Sequence, residues 1–338
     1  MSTLTMTKEK DTQLRLGVKE KIGVLRGNRY FLLVFPFVSL AIIVLIFGIA
    51  TTGRFFQPSV LTGIFSQAII IGTCATGISF IYSNGNLDIS IGAVLGLAAT
   101  FGVMCFTVTG SVAAMISVCV VSAVLLMLLN CTMSVVFNIK TITVAIVVTQ
   151  IYNAITHLLI GGAGKIDINF AISMALERGG FRHIAFVAYF IICLTVYHFT
   201  KIGRALRMLG GNEECAKQAG MSNGKATYIS FLMAGLGVGV ASVFSIINVS
   251  AVSLETGNGL GMDVMLATVL GGMSIFGGSR SNSYAGLIGA LTVAALNKGL
   301  LMVGASSAML QGIRGIIFLI LVYLNSERHN LLPSRMQF

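Results

Sequence analysis

Between Phe31 and Ala50 the chain reads "FLLVFPFVSLAIIVLIFGIA", an uninterrupted run without a single charge. A helix of that length spans the roughly 30 Å hydrocarbon core of a bilayer. Similar runs recur near 31–50, 60–82, 89–109, 112–130, 140–161, 183–200, 225–247, 264–280, 283–303 and 307–324. Charged residues make up 10% of the chain, against about a quarter in a soluble domain, and 56% of residues are hydrophobic. A soluble globule could not hide that much apolar surface. The expected fold is all-α: a polytopic membrane protein of about ten transmembrane or re-entrant helices. The segment near 264–280 is short and rich in glycine, which predicts a re-entrant rather than a spanning element.

The net charge of +11 would suit a nucleic-acid partner if it were spread as a patch, but its placement excludes that reading. Lys8, Lys10, Arg15, Lys19, Lys21, Arg26 and Arg29 precede the first apolar run. Lys201, Arg204, Arg207, Lys217 and Lys225 flank one polar loop, and Arg328 and Arg335 follow the last run. Basic clusters beside membrane segments report topology, because cytoplasmic loops retain Lys and Arg. With the N-terminus in the cytosol and the spans alternating, the 131–140 loop, the 200–225 loop and the C-terminus also fall inside. The 161–182 loop dissents, carrying Lys165, Arg178 and Arg182 on the outer side against Asp167 and Glu177. The long charged lead-in and the length of the first run are not those of a cleavable signal. The predicted organisation is a cytosolic segment 1–29, a transmembrane domain 30–326 and a cytosolic tail 327–338. Cys74, Cys105, Cys119, Cys131, Cys193 and Cys215 show no CxxC spacing and read as free thiols.

Two segments resemble each other. "NLDISIGAVLGLAATFG" from Asn86 and "GMDVMLATVLGGMSIFG" from Gly261 align at an offset of 175 residues. The offset pairs Asp88 with Asp263, Val94 with Val269, Leu95 with Leu270, Gly96 with Gly271, and Phe101 and Gly102 with Phe276 and Gly277. The copies fall in the third and eighth of these runs, an offset of five, so they cross in opposite directions. The expectation is two inverted repeats of five helices, approximately 30–180 and 181–326. Glycine-interrupted segments at matching positions of two halves point to a transport path. Gly92 and Gly96, and Gly235 and Gly239, have the spacing that lets helices approach closely.

Asp88 has two readings that can coexist. A carboxylate near the membrane centre costs about 2.5–3.5 kcal/mol on insertion scales, so it needs a reason to be there. It can cap a helix start, where Asn86, Asp88 and Ser90 are all suitable, or it can face a translocated solute. Asn86, Asp88, Ser90, Asp263 and Gln67 are the substrate-path candidates. Asn130, Gln150, Asn153, His157 and Asn297 could line a polar cavity or bond between helices. Lys298 and Arg314 either face the interior or snorkel outward.

No phosphate-binding Gly-x-x-x-x-Gly-Lys-Ser/Thr loop, HExxH motif or nucleophile–base constellation occurs. If this is a pump, ATP hydrolysis belongs to another chain. The polar stretch "LGGNEECAKQAGMSNGK", Leu209 to Lys225, offers a place for such a chain to bind. Asn212 is a good N-cap, Glu213 and Glu214 occupy the first turn where the dipole favours anions, and Gly220 suits the terminating position. So short a helix is marginal alone. It is either a polar connector lying on its own domain or a docking helix for a partner. Asn212, Glu213, Glu214, Ala216, Lys217, Ala219 and Gly220 are the coupling candidates.

From about residue 55 onward the chain resembles the permease subunits of bacterial ABC sugar importers of the ribose, galactose and xylose type. "GRALRMLGGNEECAKQAGM" looks like the family's cytoplasmic loop, and "GNLDISIGAVLGL" is similar to its Asp-Leu-Ser-x-Gly segment, with Ile89 where leucine is usual. "VLGGMSIFGG" followed by "GLIGALTVAALNKGLLMVG" resembles its C-terminal pattern. The resemblance implies a location in the bacterial inner membrane with both termini cytosolic. It implies a partner ATPase that binds ATP and grips the Asn212–Gly220 helix, with no cofactor on this chain. A second permease copy or sister, and an extracytoplasmic solute-binding protein, complete the implied transporter. The implied cargo is a monosaccharide or similar polar solute. The rival class, an ion-coupled secondary transporter or channel, would need buried ion-coupling carboxylates and no docking helix.

Overall fold

The computed structural model describes residues 29–273, 277–278 and 285–325. The basic head expected over 1–29, apart from Arg29, lies outside the described residues, as do the tail over 327–338 and the Phe276 partner of Phe101. Apolar runs interrupted by turn residues give helix α1 (Arg29–Ala50), a 3-10 turn (Arg54–Phe56), α2 (Pro58–Ser83), α3 (Ile91–Thr109), α4 (Val112–Val136) and α5 (Thr141–Ile160). A second 3-10 turn (Gly161–Ala163), β1 (Lys165–Asp167) and α6 (Phe170–Arg178) lead into α7 (Phe181–Phe199). Then come α8 (Lys201–Gly211), α9 (Glu213–Gln218), α10 (Asn223–Val249), β2 (Ala251–Ser253), α11 (Leu260–Leu270), α12 (Ala285–Met302) and α13 (Ser307–Asn325).

The boundaries have local causes. Pro58 opens α2, where its missing N–H costs nothing. Ser111 caps α4 by accepting from Ala114 N, and Ser222 caps α10 by accepting from Lys225 N. Gly110, at φ 65°, lets the chain reverse between α3 and α4.

Among the described residues six helices, α2, α3, α4, α5, α7 and α10, are long and apolar enough to cross a membrane. Shorter apolar helices lie at Pro36–Ala50, Leu260–Leu270, Gly286–Met302 and Ala308–Leu321. This is an all-α polytopic membrane protein, with one departure from the expected class. β1 and β2 pair antiparallel, Ile166 opposite Val252, and tie the α5–α6 and α10–α11 connections together. Large apolar side chains such as Val121, Leu125 and Leu129 on α4 and Ile191 and Ile192 on α7 point outward, as lipid contact requires.

α2 and α10 form the centre. Gly235 and Gly239 on α10 lie against Val124 and Val120 of α4, where any Cβ would press on the α4 backbone. That pair therefore does the helix packing expected of it. Gly92 and Gly96 do something else: they seat a loop, as described below.

Two basic residues of the 161–182 loop have local carboxylate partners. Lys165 pairs with Asp167 at 3.0 Å. Arg182 is buried, donates to Ser66 Oγ at 2.6 Å and lies 3.4 Å from Glu177.

Candidate functional site

Two interruptions shape the centre of the molecule. The first is the non-helical stretch 84–90 between α2 and α3. Asn84 donates to Thr227 Oγ1 at 3.0 Å and Asn223 Oδ1 at 3.4 Å, fixing its start beside the base of α10. Asn86 is half-buried and accepts from Thr141 Oγ1 at 3.5 Å. Asp88 is 1% exposed. Its Oδ1 accepts from Ser90 N at 2.7 Å and Ser90 Oγ at 2.6 Å, a local turn that starts α3. Ser90 Oγ accepts in turn from Asn130 Nδ2 at 2.8 Å, and Asn130 Oδ1 accepts from Tyr152 OH at 2.9 Å. Asp88 Oδ2 and the Tyr82 hydroxyl are buried with no hydrogen-bond partner among the described residues. One oxygen of Asp88 thus organises the helix start.

The second interruption, residues 254–259, precedes α11. That helix has 11 residues, about 16 Å at 1.5 Å each, roughly half a bilayer core. It begins at Leu260 after Gly259, whose φ of 73° breaks any continuation from β2. Asp263 therefore lies within the first helical turn, whereas Asp88 precedes its helix. The aligned aspartates are not locally equivalent. Asp263 lies 2.9 Å from Arg314 Nε. The Nε–H itself is directed to Asn297 Oδ1 at 3.1 Å, while Asn297 Nδ2 donates to Asp263 Oδ2 at 2.9 Å. The Asp263 Oδ1 contact is thus ionic rather than an aligned hydrogen bond, consistent with that oxygen accepting none. Arg314 faces the interior, and Asn297 is an interhelical partner.

The two interruptions meet. A Cβ on Gly92 would run into the Gly257 carbonyl and Gly261 N, one on Gly96 into the Thr256 carbonyl, and one on Gly261 into the Ile89 carbonyl. Only glycine allows this backbone-to-backbone seating. Beside it opens a cleft of about 290 Å³ lined by Thr149, Asn153 and His157 from α5 and by Glu255, Thr256 and Asn258 from the loop. Among the described residues, no lysine or arginine lines it.

Asn86, Asp88, Ser90, Asp263 and Gln67 do not line the cleft, although Ile89 and Met262, their neighbours, do. Asp88, Ser90 and Asp263 stand behind its walls, and Gln67 is half-exposed on α2. Thr149, Asn153 and His157 are spaced four apart and make a polar stripe that the sequence displays. Glu255 and Asn258, in a loop flanked by apolar runs, carried no comparable pattern.

At the opposite end of α10 lies the α8–α9 loop. Asn212 Oδ1 accepts from Cys215 N at 3.0 Å, the N-cap expected. Met221 N donates to Ala216 O and Gly220 N to Lys217 O, with Gly220 at φ 80°, which is the Schellman ending. Lys217 pairs with Glu213 at 3.1 Å and Glu214 at 3.5 Å, and the hydrogen-bonded Glu213 carboxylate raises the lysine's pKa. Glu213 also accepts from Asn223 Nδ2 at 2.7 Å. Ala216 alone of this helix is buried, among Phe80, Tyr197, Leu206 and Leu209; Glu213, Glu214, Lys217, Ala219 and Gly220 are exposed. Gly210 fits against the Ser83 carbonyl and Gly278 N, so the loop abuts the end of α2 and the segment after α11.

A multi-pass helical bundle with two interrupted elements meeting at a polar cleft defines a membrane permease. The family is equally plain: over residues 60–322 the chain matches the family described as branched-chain amino acid transport system / permease component, and it belongs to that family. It is a transport subunit of the inner membrane rather than an enzyme. It is 29% identical over 327 residues to the ribose import permease protein RbsC of Bacillus subtilis (strain 168), covering 92% of this chain and 94% of the relative. The Escherichia coli (strain K12) ribose import permease protein RbsC is 24% identical, covering 89% of this chain and 98% of the relative. The autoinducer 2 import system permease protein LsrD of Salmonella paratyphi A is also 24% identical, covering 86% and 90%. No solved structure matches the chain.

Proposed function

We propose that the chain is the permease of an ATP-driven importer for a neutral polyhydroxylated solute, a monosaccharide or a compound of similar size. The observation that carries this reading is the lining of the cleft. Amide, imidazole, hydroxyl and carboxylate groups (Asn153, Asn258, His157, Thr149, Thr256 and Glu255) hydrogen-bond to hydroxyls, while among the described residues no lysine or arginine lines the cleft to favour an anionic cargo. The full-length likeness to permeases named for ribose and autoinducer 2 supports the same class.

In this reading both termini and the α8–α9 loop face the cytosol, the β1–β2 side faces outward, and residues 30–326 form one transmembrane domain. A separate ATPase engages the exposed face of α9 and hydrolyses ATP. A second permease copy or a sister subunit completes the path, and an extracytoplasmic solute-binding protein delivers the cargo. Ion coupling is the poorer fit, because the Asp263 carboxylate is already paired with Arg314 and α9 presents a capped, largely exposed helix suited to a partner chain.

The test is uptake of D-ribose and of autoinducer 2 in cells lacking their own importers and supplied with this permease, its ATPase and its binding protein. Uptake that persists without the ATPase rejects ATP coupling. Failure of both solutes at normal membrane abundance rejects the proposed cargo class.

A further inference from the structure

We propose that Arg314 is a positioning residue that clamps the Glu255–Gly259 rim of the cleft against α3 and so keeps the path closed until α13 moves. The inference rests on the reading that the cleft lies on the transport path.

Arg314 is on α13, does not line the cleft and has a side chain only 10% exposed. Its guanidinium engages three parts of the site at once. Nε lies 2.9 Å from Asp263 Oδ1, in the first turn of α11. The same Nε–H is donated to Asn297 Oδ1 on α12, and Asn297 closes the triangle by donating to Asp263 Oδ2. Nη1 occupies the space that a Cβ at Gly259 would take, so the guanidinium rests directly on the rim backbone. Three residues earlier on α13, Gln311 Nε2 donates to Asn258 Oδ1 at 3.5 Å. Residues three apart share a helix face, so one face of α13 holds Asn258, Gly259 and Asp263 together.

Among the described residues, no side-chain hydrogen bond or ion pair joins the rim to α3. Gly257 and Thr256 touch Gly92 and Gly96 through backbone alone. Smooth glycine-to-glycine contact can part without breaking a hydrogen bond. The rim is thus latched on its α13 side and free to separate on its α3 side. α13 itself packs chiefly on α11, and Met309, Ile316, Leu319 and Ile320 on its far face are exposed. A displacement of this peripheral helix would carry the half-helix and the rim with it.

The experiment uses the assembled transporter with Cys105 and Cys215 replaced by serine. A reporter cysteine, Ala93→Cys, sits in the cleft wall, and a control, Ala145→Cys, is buried on the packed face of α5. Labelling by a small thiol reagent is timed with Arg314, with Arg314→Lys, with Arg314→Met and with the double variant Asp263→Asn/Arg314→Met. The double variant leaves no stranded charge and keeps the test valid if Arg314→Met alone fails to accumulate. Loss of a charged hydrogen bond predicts labelling at the reporter on the order of tenfold faster in both Met variants, with Arg314→Lys between them and the parent and the control unchanged. Unchanged reporter labelling in the folded double variant overturns the proposal, as does equal acceleration at the control, which would signify general loosening. The measurement needs neither solute nor ATP. Its failure therefore leaves the path reading standing, and the uptake test above can fail without it.

Discussion

Placing an arginine at each of two alanines in α9 separates coupling from folding. Ala216 is 2% exposed in a cluster with Phe80, Tyr197, Leu206 and Leu209. Arginine there must either displace that cluster, at about 1–3 kcal/mol for overpacking, or bury an unpaired guanidinium at a greater cost. α9 should come off the bundle, taking the Asn212 cap and the Glu213–Asn223 bond with it. Ala219 is exposed at the helix C-terminus, where a cation is favoured by the dipole. Ala219→Arg should change stability by about 0.5 kcal/mol or less, yet it adds a long cationic side chain to the face offered to the ATPase. The expected outcome is normal membrane abundance and melting temperature for Ala219→Arg, with ATPase co-purification and solute uptake both lost. Ala216→Arg should lose abundance or thermal stability as well. Normal ATPase recovery and uptake with Ala219→Arg would mean that α9 is only a connector. An Ala216→Arg variant as stable as the parent would refute the packing account.

Cys215 is exposed on α9, so in a Cys105→Ser background an impermeant maleimide should label it in inverted vesicles and not on intact cells; labelling of intact cells would reverse the proposed topology. Gly96→Val pushes a branched side chain into the Thr256 carbonyl, so uptake should fall at least about tenfold, the equivalent of about 1.4 kcal/mol, while ATPase co-purification persists. Unimpaired uptake would show that the glycine seat is dispensable. Asp263→Ala strands a buried guanidinium at a cost of about 3–5 kcal/mol and should reduce abundance, with Asp263→Asn/Arg314→Met restoring it. Equal abundance of Asp263→Ala and parent, measured on membranes, would contradict the ion pair.

Much of the bundle was legible because a bilayer forces apolar runs of near-constant length. The apolar run near 264–280 starts several residues after the helix itself, which begins at Leu260, because the polar "SLETGNG" before it hides the beginning. α9 was legible from both ends because Asn212 and Gly220 are chemical punctuation. α8 is hidden by its charge, although Ile202, Leu206 and Leu209 recur at helical spacing between Lys201, Arg204 and Arg207. The Asp263–Arg314 pair was not legible: no local rule joins residues on α11 and α13, and an arginine in an apolar run is equally compatible with snorkelling. The cleft was half legible. Asn153 and His157 stood out on α5, but Glu255 and Asn258 gained meaning only when the loop was seen seated on α3.

Both aspartates singled out by the internal resemblance have a common physical reason despite their different partners. Each sits where a helix begins within the bundle, Asp88 ahead of Ile91 and Asp263 just after Leu260. The unpaired N–H groups and the dipole of a helix start favour a negative charge there. Asp88 is held by Ser90 N and Oγ, Asp263 by Asn297 and the Arg314 cation. Substituting the first should therefore disturb the geometry of one cleft wall, and substituting the second should leave an unbalanced charge in the core. Asp88→Ala removes two accepted hydrogen bonds and leaves Ser90 N and Oγ short of a partner, a penalty of about 1–3 kcal/mol, below that of stranding Arg314. The ratio of uptake to membrane abundance separates the two effects. For Asp88→Ala the ratio should fall, because protein is present with a misplaced wall. For Asp263→Ala most of the loss should appear in abundance itself. The reverse pattern would mean that Asp88 is the structural residue and Asp263 the one that meets the solute.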